Sequence, residues 1–87
     1  MQAKIEFTGP AAMADDGGVS FAARLNGQAI RCHFSEETLQ DVDPDDLHGD
    51  PLAQFEAHRF RLLAAAEQKI QKGLLNNGEV SVYTSDL

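Results

Sequence analysis

Tryptophan is absent, cysteine and tyrosine occur once each, and basic side chains are scarce: seven Lys and Arg stand against 14 Asp and Glu in 87 residues. Each shortage excludes something. Cys32 has no second cysteine to pair with, so no internal disulfide can form and a secreted, bridge-stapled mini-domain is ruled out. The formal charge of −7 leaves no basic footprint for a phosphate backbone or an anionic lipid surface, so neither nucleic acid nor membrane is an expected partner. No apolar run approaches the roughly 18 residues of a membrane span. Residues 1–8 alternate polar and apolar side chains instead of forming the continuous apolar stretch of a signal peptide, which makes the cytoplasm the expected compartment. A Gly-rich phosphate loop, paired catalytic carboxylates, a nucleophile elbow and internal repeats are missing too, so neither an enzyme nor a cofactor is expected.

What is present reads as one folded domain. A hydrophobic fraction of 43% is ordinary for a globular chain, and 87 residues suffice for a single modest core. The longest periodic stretch lies between Asp50 and Gly73. Asp50 suits an N-cap, Pro51 suits the first helical position where no N–H is needed, and Gly73 suits the left-handed stop. They bracket a helix over 51–72. At 100° per residue Leu52, Phe55, Leu62, Leu63, Ala66 and Ile70 share one stripe, with Gln54, His58, Arg61, Gln68 and Lys72 opposite.

Arg59 interrupts the apolar stripe, with Glu56 three residues earlier and within reach for a same-face ion pair. The expectation is that Arg59 snorkels along the core edge and clips a sheet or loop carbonyl. The sharper alternative makes it an anion or partner anchor beside His58, because a guanidinium offers a rigid donor fork.

Residues 19–34 spell a hairpin. Asn26-Gly27 is the favoured pair for a two-residue type I′ turn, since both central positions need positive φ. That turn dictates the register: Leu25 opposite Gln28, Ala23 opposite Ile30, Phe21 opposite Cys32 and Val19 opposite Phe34. One face is then apolar. The other carries Ser20, Ala22, Arg24, Ala29, Arg31 and His33, a polar face expected to be wet. Cys32 and His33 are neighbours on a strand and point to opposite faces, so they cannot form a nucleophile and base dyad. Cys32 is expected as a buried small hydrophobe.

Ile5 and Phe7 alternate with polar residues, predicting a strand over 4–8 that ends at Gly9-Pro10, followed by a mobile loop over 11–18. Ser35 caps a short helix over 36–42, with Glu36 and Glu37 in its first turn where the helix dipole favours acids. Between residues 36 and 50 seven acids occur without one Lys or Arg. Asp41, Asp43 and Asp45 mimic the start of a calcium loop, but Asp46 stands where glycine belongs and Leu52 where glutamate belongs, so a solvated acidic loop and no metal are expected. No second histidine or cysteine lies at zinc-site spacing from His33, and His48 and His58 fall in a loop and on the helix's polar face, so no zinc site is expected. An Asn76-Asn77-Gly78 turn leads into a closing strand over 79–85.

The run VSFAARLNGQAIRCHFSEETL followed by DPLAQFEAHRFRLLAAAEQKI resembles the bacterial domain of unknown function family 1488, small single-domain proteins without an assigned activity. The resemblance covers roughly residues 19 to 72 and rests on the Asn26-Gly27 turn, Cys32, Ser35 with Glu37 and Leu39, and Phe55 with His58-Arg59 and Ala66. It implies a compact α+β domain and carries over no catalytic residue. The residue patterns reach the same α+β class: a small antiparallel sheet built on the central hairpin (19–25, 28–34), strands near 4–8 and 79–85, and helices over 36–42 and 51–72 packed on one face.

The functional expectation is a small non-enzymatic interaction or regulatory module whose partner is another protein or a second copy of itself. The alternative is small-ligand or anion binding near His58 and Arg59, with Glu56 beside them. DNA contact would rest on Arg24 and Arg31 alone and is not expected.

Overall fold

The computed structural model describes residues 4–43 and 49–87. Four strands, β1 (Ile5–Met13), β2 (Val19–Leu25), β3 (Gln28–Phe34) and β4 (Glu79–Val82), form one sheet in the order β1-β2-β3-β4. Helices α1 (Glu36–Val42), α2 (Pro51–Ala57) and α3 (Arg59–Gln71) lie between β3 and β4 in the chain. The α+β class expected from the patterns is the observed one.

The hairpin forms as its turn dictates. Asn26 and Gly27 take φ of 52° and 86°, the left-handed pair of a type I′ turn, and the ladder runs from Leu25↔Gln28 to Val19↔Phe34 without a slip. Ser35 caps α1 by accepting the Thr38 N–H at 3.1 Å, and Asp50 caps α2 by accepting the Leu52 N–H at 3.2 Å. Gly73, at φ 75°, closes α3 in a Schellman motif, the Leu74 N–H donating to the Lys69 carbonyl at 3.0 Å and the Gly73 N–H to that of Ile70 at 2.9 Å.

Four expectations need correction. The sheet is mixed, because β4 pairs with β3 in parallel from Arg31↔Glu79 to Phe34↔Val82. Three helices carry the chain over one face and return it beside β3 in the same direction, which is what a crossover connection does. The first strand does not stop at Gly9-Pro10 but continues to Met13, so residues 11–13 are strand and not loop. A register shift between Phe7 and Ala11 absorbs the two residues, and an edge strand tolerates a proline that has no N–H to give.

The closing strand ends at Val82, and residues Thr84–Asp86 form a short 3₁₀ turn. Asp86 causes the stop by accepting the Tyr83 N–H at 2.8 Å and an ammonium proton of Lys69 at 2.9 Å. The fourth correction concerns the helix over 51–72, which breaks at His58 (φ −121°, ψ 25°) into α2 and α3. In a straight helix Arg59 would fall in the stripe between Leu52 and Leu62. The break changes the phase of α2, so Gln54, assigned to the polar face, is only 2% exposed beside buried Phe55.

The core lies between the sheet and the helices. Phe55 stacks at 5.4 Å from Phe21 and 5.2 Å from Phe34, joining α2 to the hairpin. Cys32, Leu39, Leu62, Ala66, Val80 and Val82 are fully buried around them. Burial pushes the Cys32 thiol up to about 11, so it stays protonated and inert at neutral pH. Thr38 is buried as well, its hydroxyl bonded to Ser35 and to the Val82 carbonyl.

Candidate functional site

Alternation along the strands sorts every residue of the sheet onto a face. Val19, Phe21 and Ala23 of β2 and Ile30, Cys32 and Phe34 of β3 point into the core, so Ser20, Ala22, Arg24, Ala29, Arg31 and His33 line the other side. Among the described residues no helix covers that side: Ala22, Arg24, Ala29 and Arg31 are all exposed. Part of it is an open trough lined by Ala22, Ala29, Arg31 and His33 together with Asp16 and Asn77, and Arg24 stands outside that lining.

The floor is mostly short. Ala22 pairs with Arg31 and Ala29 with Arg24 across the hairpin, so alanines occupy one diagonal of a square and arginines the other. Glu6 stands opposite Arg24 and Glu79 opposite Arg31 in the flanking ladders. Neither pair closes to an ion pair, and among the described residues both guanidinium groups lack a carboxylate partner. In a chain of charge −7, two such cations on one exposed face are conspicuous.

His33, expected to face solvent, is on this face but three-quarters covered or more, its side chain being 18% exposed. Its Nε2 lies 2.9 Å from Asp16 Oδ2, and the other oxygen of Asp16 accepts the Gly18 N–H at 2.9 Å. The Gly18 amide and then the His33 imidazole hold the Asp16 carboxyl below the usual carboxylate range. Ser20 is cross-strand from His33 on β2 and Ser81 is its partner on β4, yet among the described residues no hydroxyl is bonded to the imidazole.

The residues singled out on the helices are placed differently. Glu56 Oε2 meets Arg59 Nη1 at 3.6 Å, as the i,i+3 spacing predicts. The Arg59 guanidinium lies 5.0 Å from the centre of the Phe21 ring, and its side chain is 41% exposed. It does snorkel over the core edge, with the expected Glu56 pair, but the Phe21 ring stands where a carbonyl was expected. His58 turns to Asp43 at 3.7 Å, at the end of α1. The two neighbouring side chains thus diverge, each towards its own carboxylate.

Of the calcium-like acids, Asp41 accepts the Thr84 hydroxyl at 2.6 Å and Asp43 faces His58. Asp45, Asp46 and His48 lie outside the described residues. Among the described residues no three His, Cys, Asp or Glu side chains converge as a metal site would require. Among the described residues no helix is long and apolar enough to cross a membrane.

Sequence reasoning missed several polar contacts. Lys69 donates to the Ser81 carbonyl at 2.7 Å and to Asp86, and lies 5.0 Å from the centre of the Tyr83 ring, pinning the chain's end to α3. Its lysine and aspartate are 17 residues apart, so only tertiary structure brings them together. The Asp16–His33 contact had a local signal in the Asp16-Gly17-Gly18 turn, a natural Asx arrangement.

The model of the family described as Protein of unknown function (DUF1488) matches residues 5–82, from the first residue of β1 to the last of β4. The chain belongs to this family. The crystal structure of a DUF1488-family protein of unknown function from Shewanella loihica PV-4 superposes with a TM-score of 0.83 at 23% identity, over 94% of each chain. At that identity the likeness speaks for the DUF1488 fold. No curated protein matches the chain.

Proposed function

We propose that this DUF1488 domain is a non-enzymatic cytoplasmic interaction module that binds a partner protein through the open face of its sheet. The observation carrying the proposal is the contrast between Arg24 and Arg31, exposed and without carboxylate partners among the described residues, and a surface that is otherwise strongly acidic. Arginines on an exposed, small-residue floor are suited to anchoring carboxylates of a partner, because the guanidinium fork pairs with them bidentately. Affinity purification from the native cell, with the mass of the assembly measured alongside, tests it. A partner retained at low salt and shed at high salt is the expected result; a strict monomer that enriches nothing sinks the proposal.

The alternative of anion binding at His58, Arg59 and Glu56 has weaker support. His58 and Arg59 each already face a carboxylate, and an incoming anion would have to displace it. Thermal-shift measurements with phosphate and small carboxylates check this reading. A shift of wild type that Arg59→Ala abolishes would favour it.

A further inference from the structure

We infer that the partner segment held by the open face is an amphipathic α-helix with a narrow seam of small or aliphatic residues and a carboxylate on each flank. The inference rests on the reading that this face is the binding surface, and adds the shape and charge of what it takes.

Three observations support the choice. Four strands at about 4.8 Å spacing present a face roughly 14 Å wide, enough for one helix of about 10–12 Å and narrow for a second sheet. The low floor runs along the diagonal from Ala22 to Ala29, where no side chain extends beyond a methyl group. Arg24 and Arg31 stand on the two sides of that diagonal, so a rod lying along it has one guanidinium at each flank.

An extended strand would instead need a free sheet edge, and neither arginine is placed for one: both sit on the two central strands. A second copy brings its own −7 charge to the contact. A partner helix instead confines its acids to the two flanks, where the arginines stand.

The experiment uses the whole chain, isotope-labelled, and three synthetic 20-residue peptides. The first is helical with an Ala and Leu seam flanked by Glu, the second replaces each Glu by Lys, and the third carries a central Pro that breaks the helix. Expected are amide shifts concentrated in residues 20–24 and 29–33 with the first peptide only. The double variant Arg24→Glu, Arg31→Glu should weaken binding at least tenfold, and Arg61→Glu on the exposed side of α3 should leave it unchanged.

Equal binding of the Pro-broken peptide would overturn the helix while sparing the surface. Equal binding of the Lys peptide would overturn the charge assignment. Shifts confined to other residues, or none with any peptide, would overturn the inference, and the native pull-down would then decide separately whether the face binds protein at all. A concentration-dependent mass of the protein alone, abolished by the double variant, would replace the helix with a second copy.

Discussion

The two faces of the sheet come from the same residues in strict alternation, yet they carry different kinds of information. On the covered face Phe21 and Phe34 are at most 2% exposed, and Phe55 is wedged between them from α2. On the open face the positions one residue along are alanine, serine, arginine and histidine. Burial makes the first face answerable to packing, whereas the second can change with little cost to folding. Short side chains there leave room for something to approach, and unpaired arginines give it something to hold.

Substitutions should therefore separate the faces by magnitude. Phe55→Ala removes the ring that joins α2 to the hairpin and should lower stability by about 3–5 kcal/mol in denaturant unfolding, the usual cost of emptying a buried aromatic site. A loss below about 1 kcal/mol would mean that α2 is not a true wall of the core.

Gly18→Ala comes next. An added Cβ would run into the Phe34 carbonyl oxygen, a backbone atom that cannot rotate away. The expected loss is about 1–3 kcal/mol, as for overpacking elsewhere, with the β2–β3 ladder loosened at its Val19↔Phe34 end. Unchanged amide protection at that end would contradict the close approach.

Arg59 sits on the border between the faces' two regimes. Its half-exposed guanidinium over Phe21 is worth about 0.5–1 kcal/mol, and the exposed Glu56 pair adds little to that. Arg59→Ala should thus lower the denaturant midpoint slightly and Arg61→Ala not at all. Two equally neutral substitutions would remove the structural role of Arg59 and restore the anion reading.

The smallest effect is set by pH. Lys69 and then the Tyr83 amide hold Asp86 below its ordinary pKa of 3.8, and Asp16 is lowered by Gly18 and His33. For a carboxyl whose folded pKa is depressed, the extra stability is present above the unfolded value and lost as pH falls through the folded one. Stability should therefore decline below about pH 4. Lys69→Met should flatten that decline; an identical acid profile in the variant would show that the Lys69–Asp86 contact carries no linkage.

How much of this was legible depended on the range of the interaction. The Asn26-Gly27 turn settles its own register, so each residue of the hairpin was assignable to a face, including the arginines of the candidate surface. Helix caps at Ser35, Asp50 and Gly73 were equally local and equally readable. Glu56 and Arg59 met because i,i+3 spacing requires nothing else.

The direction of β4 was not readable, because pairing beside β3 depends on where three helices deliver the chain. Nor was the break at His58, where periodicity alone continues smoothly and tertiary packing of Gln54 and Phe55 changes the phase. His58 found Asp43, 15 positions away, through that same break. The open face could be recognised as polar and wet, but that none of the described helices returns across it depends on the whole fold.

The central claim is that the covered face folds the protein and the open face binds for it. Partner capture by wild type and by the Arg24→Glu, Arg31→Glu variant, quantified from the same native extract with denaturant midpoints measured in parallel, tests this most directly. The account predicts midpoints within about 0.5 kcal/mol of one another, as for other surface substitutions, and capture reduced at least tenfold. Undiminished capture by a variant as stable as wild type would contradict it.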